Sequence, residues 1–237
     1  MFDEVDLSQM TQGSLTYLTL DRFGNPNSAL ALNDGWTQVP SGIYFDSPEF
    51  TLSVWVYPQQ VGPYSRIIDF NNGPSAGDNI VFSLSDGTSL KPYFHILTGS
   101  NLCGGGVSSM NLVLNEWQFL TVTFNGNNVR IYLNGQLTFD QIITCLPPNI
   151  QRTNCYIGKS SWAPDGYSWS LLDDLRIFNK SLTQEQILHL MNQNETSKKR
   201  INCFRFIFKS LEFFCHLDCN LPLTTTASTP SMAISSN

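Results

Sequence analysis

Apolar and polar residues alternate with period two through most of this chain, and turn signals interrupt the alternation at short spacing. That pattern restricts the fold to antiparallel β structure. In "FTLSVWVYP", Leu52, Val54 and Val56 alternate with Ser53, Trp55 and Tyr57, as in a strand with both faces at least half covered. The stretches "SRIIDF", "NIVFSLS", "KPYFHILT", "EWQFLTVTFNG" and "NVRIYLNGQLTF" continue it, separated by "NNG", "SDG", "NGNN" and "LNGQ". Asn134-Gly135 is the strongest of these signals, because a type I′ hairpin needs two residues that tolerate positive φ. One helix is predicted. It starts at Ser181 as N-cap, with Gln184 closing a capping box and Leu182, Ile187, Leu190 and Met191 on one side. Many strands and one short C-terminal helix predict an all-β fold, an antiparallel two-sheet jelly-roll sandwich.

Composition sets the limits. A chain of 237 residues, 41% hydrophobic and 12% aromatic, can bury one large core. A net charge of -6 leaves no basic face for a phosphate backbone, so nucleic acid is not an expected partner. Residues 1–20 are acidic and lack the basic and apolar regions of a secretory signal: either the start is incomplete or this export route is not used. Of the six cysteines, Cys145 and Cys155 bracket the turn-rich "LPPNIQRTN" and are expected to be bridged. Cys103 lies in the Gly-rich "NLCGGGVSS", read as a flexible loop, where it is either free or paired at long range. No cysteine spacing makes a structural zinc site.

The segments "DRFGNPNSALAL", "FTLSVWVYP", "EWQFLTVTFNGNNVRIYLNGQL", "CYIGKSSW" and "LLDDLRIFNKSLTQEQI" occur in this order over residues 15–192. Together they resemble the laminin G-like, concanavalin A-like jelly-roll family. The chain divides accordingly into a lead (1–14), the jelly-roll domain (15–192), a Phe/Cys-rich segment (193–222) and a Thr/Ser/Pro-rich tail (223–237), the last expected to be disordered.

Strict alternation through "LLDDLRIF" predicts that Asp173 points inward with Leu175 and Ile177 while Asp174 faces out with Arg176. A buried carboxylate needs a cation or several hydrogen bonds. Members of the family often hold calcium near this strand. The resemblance carries that ligand position to Asp173, with Asp21 as a second oxygen donor, while the alternative is a carboxylate satisfied by backbone N–H groups of the Asp21 loop.

Catalysis is not expected. Glycoside hydrolases on this sandwich string acids along one strand face, whereas Glu49 and Glu116 are the only glutamates between residues 5 and 184 and both stand at strand beginnings. His95 has no nucleophile-elbow motif in attendance and reads as a packed or surface residue. Binding is better supported. "SSWAPDGYSW" sets Trp162, Asp165 and Tyr167 in a loop entering the last strand, a mixture of rings and oxygens suited to sugars.

The segment 193–222 has no apolar run long enough to span a membrane. Its "FRFIF" packs onto the domain, belongs to a second truncated module, or reflects how the reading frame was assigned. The tail resembles O-glycosylated linkers, and sequons at Asn179 and Asn194 also suggest an extracellular or cell-surface chain. Two functions are consistent with these features. The first is a non-catalytic extracellular module that binds a glycan or protein through loops at one edge of the sandwich, with or without calcium; the second is a structural spacer with no ligand of its own.

Overall fold

The computed structural model describes residues 11–13, 15–73, 77–162, 165–193, 204–209 and 212–215. Two antiparallel sheets face each other, as the alternation requires. The seven-stranded sheet contains β1 (Thr11–Gln12), β4 (Thr37–Val39), β13 (Asn154–Ile157), β6 (Arg66–Asn71), β7 (Ile80–Ser83), β8 (Tyr93–Thr98) and β9 (Asn101–Val107), in that spatial order. The nine-stranded sheet runs β12 (Gln136–Ile142), β11 (Asn128–Leu133), β10 (Gln118–Asn125), β5 (Glu49–Gln60), β14 (Ser168–Phe178), β15 (Phe204–Lys209) and β16 (Glu212–Cys215). In the same sheet β3 (Ala29–Gly35) pairs with β14, and β2 (Thr16–Thr19) pairs with β3.

The core lies between the sheets. Phe50, Leu52, Val54 and Val56 of β5 interdigitate with Leu120, Val122 and Phe124 of β10 on one side and with Ile68, Phe70, Phe82, Phe94 and Ile96 on the other. The Asn134-Gly135 turn closes a two-residue hairpin with φ of 50° and 76°, as expected for type I′.

Four expectations are corrected. The helix, α1 (Gln184–Met191), is capped by Thr183 with Gln186 closing the box, two residues later than predicted. Both pairs fit the motif, and tertiary contacts choose between them. The Leu182 N–H donates to Thr51 Oγ1 at 2.9 Å, and the buried Leu182 side chain joins Ile187 as a hydrophobic staple.

The "CGGGV" segment is no loop but edge strand β9, paired with β8. Side chains at Gly104 and Gly106 would collide with Ile143 and Phe139, so glycine is what lets the two sheets approach at this edge.

Cys145 is therefore bonded to Cys103 and not to Cys155, with Cα atoms 5.0 Å apart. Cys155 is a buried thiol inside β13, pointing into the core next to Ile157, and burial pushes its pKa up to about 12.

The last correction concerns the two acids. β14 carries a bulge between Asp173 and Arg176, with Asp174 at φ 50°. Leu172 and Leu175 thus both reach the core, while Asp173 lies opposite Trp55 on the outer face and does not share a face with Leu175 and Ile177. Asp174 is as buried as Asp173 and does not face water.

β15 pairs antiparallel with residues 175–177 of β14, the part of its edge that β3 leaves open. Asn194 and the tail from residue 223 lie outside the described residues, as does most of the lead. Among the described residues no helix is long and apolar enough to cross a membrane.

Candidate functional site

The acid pair holds an arginine. Arg22 pairs with Asp173 through Nη1 and with Asp174 through Nη2, the latter at 2.8 Å, while Arg176 Nη2 reaches Asp174 at 3.1 Å. The Arg22 guanidinium also lies over Trp55 and Phe23, 5.0 and 4.3 Å from the ring centroids. Asp21 stands next to this cluster, and its carboxylate accepts from Phe23 N (2.9 Å), Asn25 N (2.8 Å) and Asn25 Nδ2 (3.0 Å). Burial, the neighbouring Asp174 and the charge of Asp21 push Asp173 up to about 6 against the pull of Arg22.

Asp21 and Asp173 are thus brought near each other, but N–H donors and a guanidinium occupy their oxygens. Among the described residues no group of three or more His, Cys, Asp or Glu side chains converges on a point where a metal could sit. This donor set does not fit calcium, which wants six to eight free oxygens.

A different place has the geometry of a binding site. On the outer face of the seven-stranded sheet, Tyr64, Arg66, Tyr93, His95, Trp162 and Asp165 line a pocket of about 300 Å³. The strands aim these residues directly. Phe94 and Ile96 point into the core, so Tyr93 and His95 point out. A register shift between Arg66 and Ile68 turns Ile67 and Ile68 both inward and leaves Arg66 outside, opposite Ser83.

Arg66 is the pivot. Its Nη2 donates to Asp165 Oδ2 at 2.7 Å and to Ser160 Oγ at 3.2 Å, and its Nη1 donates to Ser83 Oγ at 3.0 Å and to Tyr64 O at 2.8 Å. Ser160 Oγ in turn donates to Asp165 at 2.7 Å and accepts from Trp162 N at 3.0 Å. Deeper down, Asp69 accepts from Asn71 (2.7 Å), Asn79 (3.1 Å) and the Ser161 N–H (2.9 Å), which pins the start of the loop to the sheet.

Burial pulls Arg66 down and pushes Asp69 up, and each opposes the other's shift by its charge. Arg66 therefore stays ionised and is balanced by two acids. Burial, followed by the charge of Arg66, drives His95 down to about 3, so its imidazole is neutral. Its ring stands 5.2 Å from Tyr93 and 6.2 Å from Trp162, and both of its nitrogens are buried with no hydrogen-bond partner among the described residues.

The three loop residues expected to act together are divided. Trp162 and Asp165 line the pocket, while Tyr167 turns to Trp36, 6.4 Å between ring centroids. Sequence reasoning missed Tyr64, Arg66, Tyr93 and Asp69, and set His95 aside. A charged pair inside the apolar "RIIDFN" was the available signal, since a strand buries such a pair only when something above it supplies partners.

A family model described as the concanavalin A-like lectin/glucanases superfamily, of laminin G type, matches residues 32–188. The chain belongs to this superfamily. A search of curated proteins finds no match. Among solved structures the superfamily fold is shared with domain 4 of AbnA, a GH43 extracellular arabinanase from Geobacillus stearothermophilus, in complex with arabinotriose. That match has TM-score 0.63 and 21% identity, over 79% of this chain and 93% of that one. The binding domain of Paraclostridial Mosquitocidal Protein 1 aligns with TM-score 0.60 and 18% identity over 81% of this chain, and the botulinum neurotoxin serotype G binding domain with 0.57 and 18% over 77%. This superfamily chain spans about half of those two domains, 48% and 46%.

Proposed function

We propose that the chain is a non-catalytic extracellular recognition module that binds a glycan in the pocket lined by Trp162, Tyr93 and Tyr64. The observation that carries this is the pocket itself: about 300 Å³, with three aromatic rings around a buried Arg66–Asp165–Ser160 network that holds the loop in place. Aromatic rings suit the apolar faces of sugars, and a pre-organised network lowers the ordering cost of binding. A pocket of this size suits one or two sugar residues better than a protein surface, which needs a broad contact area.

The lectin-like superfamily and the arabinotriose held by the similar arabinanase domain support a saccharide. A hydrolytic role is disfavoured because Arg66 engages both nearby carboxylates, Asp69 and Asp165, leaving neither free as an acid or base. The Cys103–Cys145 bridge supports an oxidising compartment, and the exposed Asn179 suits a glycosylated corner.

The test is an array of neutral glycans followed by calorimetry on wild type and Trp162→Ala. The expected result is saturable binding that weakens at least tenfold in the variant, with an unchanged unfolding midpoint. Binding to no glycan would leave the spacer role in its place.

A further inference from the structure

Beside the pocket lies a second constellation that the glycan reading above does not use. Trp36 precedes β4 and Tyr156 lies in β13, and the two rings meet edge to face with centroids 5.6 Å apart. Lys159 follows β13 and places its Nζ 4.1 Å from the Trp36 centroid and 4.6 Å from that of Tyr156. Tyr167, 37% exposed, packs beside Trp36 on the open side.

Lys159 is half-buried, yet among the described residues no carboxylate lies within ion-pair distance of it and no acceptor takes its protons. A lysine with a long flexible stem ordinarily keeps its head in water, free to move. Here two rings hold the ammonium in one place through their quadrupoles without neutralising its charge. What remains unanswered is one positive charge, held still beside an exposed aromatic ring, in a protein of net charge -6.

The geometry points to a second saccharide subsite for an anionic sugar residue. The carboxylate or sulfate of that sugar would pair with Lys159, and its ring would rest on Tyr167. Trp36 and Tyr156 act as positioning residues that hold the lysine head. The subsite is independent of the neighbouring pocket, whose single arginine is already balanced by Asp69 and Asp165 and offers an anion no free charge.

The experiment titrates the full chain with three probes: trigalacturonic acid for the carboxylate, a sulfated galactose trisaccharide for the sulfate, and neutral galactotriose. Heteronuclear NMR reads the Trp36 indole and the Lys159 side chain in wild type, so the readout needs no variant to fold. One of the anionic probes is expected to shift both signals, to bind at least tenfold more tightly than galactotriose, and to weaken with added salt. Which of the two does so identifies the anion. Lys159→Met and Tyr167→Ala should each weaken that binding at least fivefold, while Trp162→Ala should leave it unchanged, which separates this subsite from the pocket. The inference is overturned if no anionic probe moves Trp36 and Lys159, if the neutral probe binds equally well, or if Lys159→Met binds as wild type does.

Discussion

Asp174, not Asp173, is the acid on which the β14 cluster depends. It is shared by Arg22 and Arg176, whereas Asp173 has Arg22 as its one ion-pair partner among the described residues and is held ionised against burial and two neighbouring acids. At pH 7, Asp174→Asn should cost about 2–4 kcal/mol, because two buried guanidiniums lose their common partner, and Asp173→Asn only about 0–1 kcal/mol. Urea unfolding of the two variants checks the order, which is the reverse of what strict strand alternation predicts.

The pH dependence carries the same information. An unfolded Asp ionises near ~4, and Asp173 in the fold near about 6. The folded state therefore binds this proton more tightly, and the associated stability, at most ~3 kcal/mol, is present below pH ~4 and lost as pH rises through about 6. Asp173→Asn should flatten that fall.

His95 works in the opposite sense, because its folded pKa of about 3 lies below the ordinary histidine value. Its contribution is present above pH ~6.5 and lost as the medium is acidified towards 3. NMR of the His95 ring should find no titration between pH ~8 and ~5. A midpoint near 6 would mean that the ring is solvated and that the pocket floor is open.

At the scale of elements, the strands were legible and their irregularities were not. Leu52, Val54 and Val56 alternate in the sequence and point into the core as that alternation says, because side-chain direction in a regular strand depends only on parity. A bulge changes parity. The one in β14 lets Asp173, Asp174 and Arg176 gather around Arg22, and the one in β6 turns Arg66 out towards Asp165. Neither can be read locally, since each is stabilised by a residue roughly 100 or more positions away in the chain. The pocket was half legible for the same reason: Trp162 and Asp165 stand together in one loop, whereas Tyr64, Arg66, Tyr93 and His95 meet them only through pairing across β6, β7 and β8. The helix start illustrates a smaller ambiguity. Thr183→Ala should cost about 1 kcal/mol and Ser181→Ala about nothing, as thermal unfolding of the two variants can measure.

For the whole molecule, the Cys103–Cys145 bridge joins the edge strand β9 of one sheet to the segment that follows β12 at the edge of the other, and so closes the sandwich at that end. With a sequence separation of 42 between its ends, it contributes roughly 4 kcal/mol. Its loss should lower the unfolding midpoint by about 8–16 °C. Peptide mapping without reduction should recover Cys103 linked to Cys145, and Cys155 should be alkylated only after denaturation, because it is enclosed in the core.

On the outer face of the seven-stranded sheet, Asp69 pins the Ser161 backbone, and the neighbouring Trp162 ring lies against His95. The central claim is that this face is a glycan-binding surface centred on Trp162. The most direct measurement is NMR chemical-shift mapping of the full chain with the neutral glycan that binds best on the array. The predicted result is saturable shifts centred on Trp162, Tyr93 and Tyr64, abolished by Trp162→Ala in a protein that still folds; shifts confined to any other face, or persisting in that variant, would contradict it.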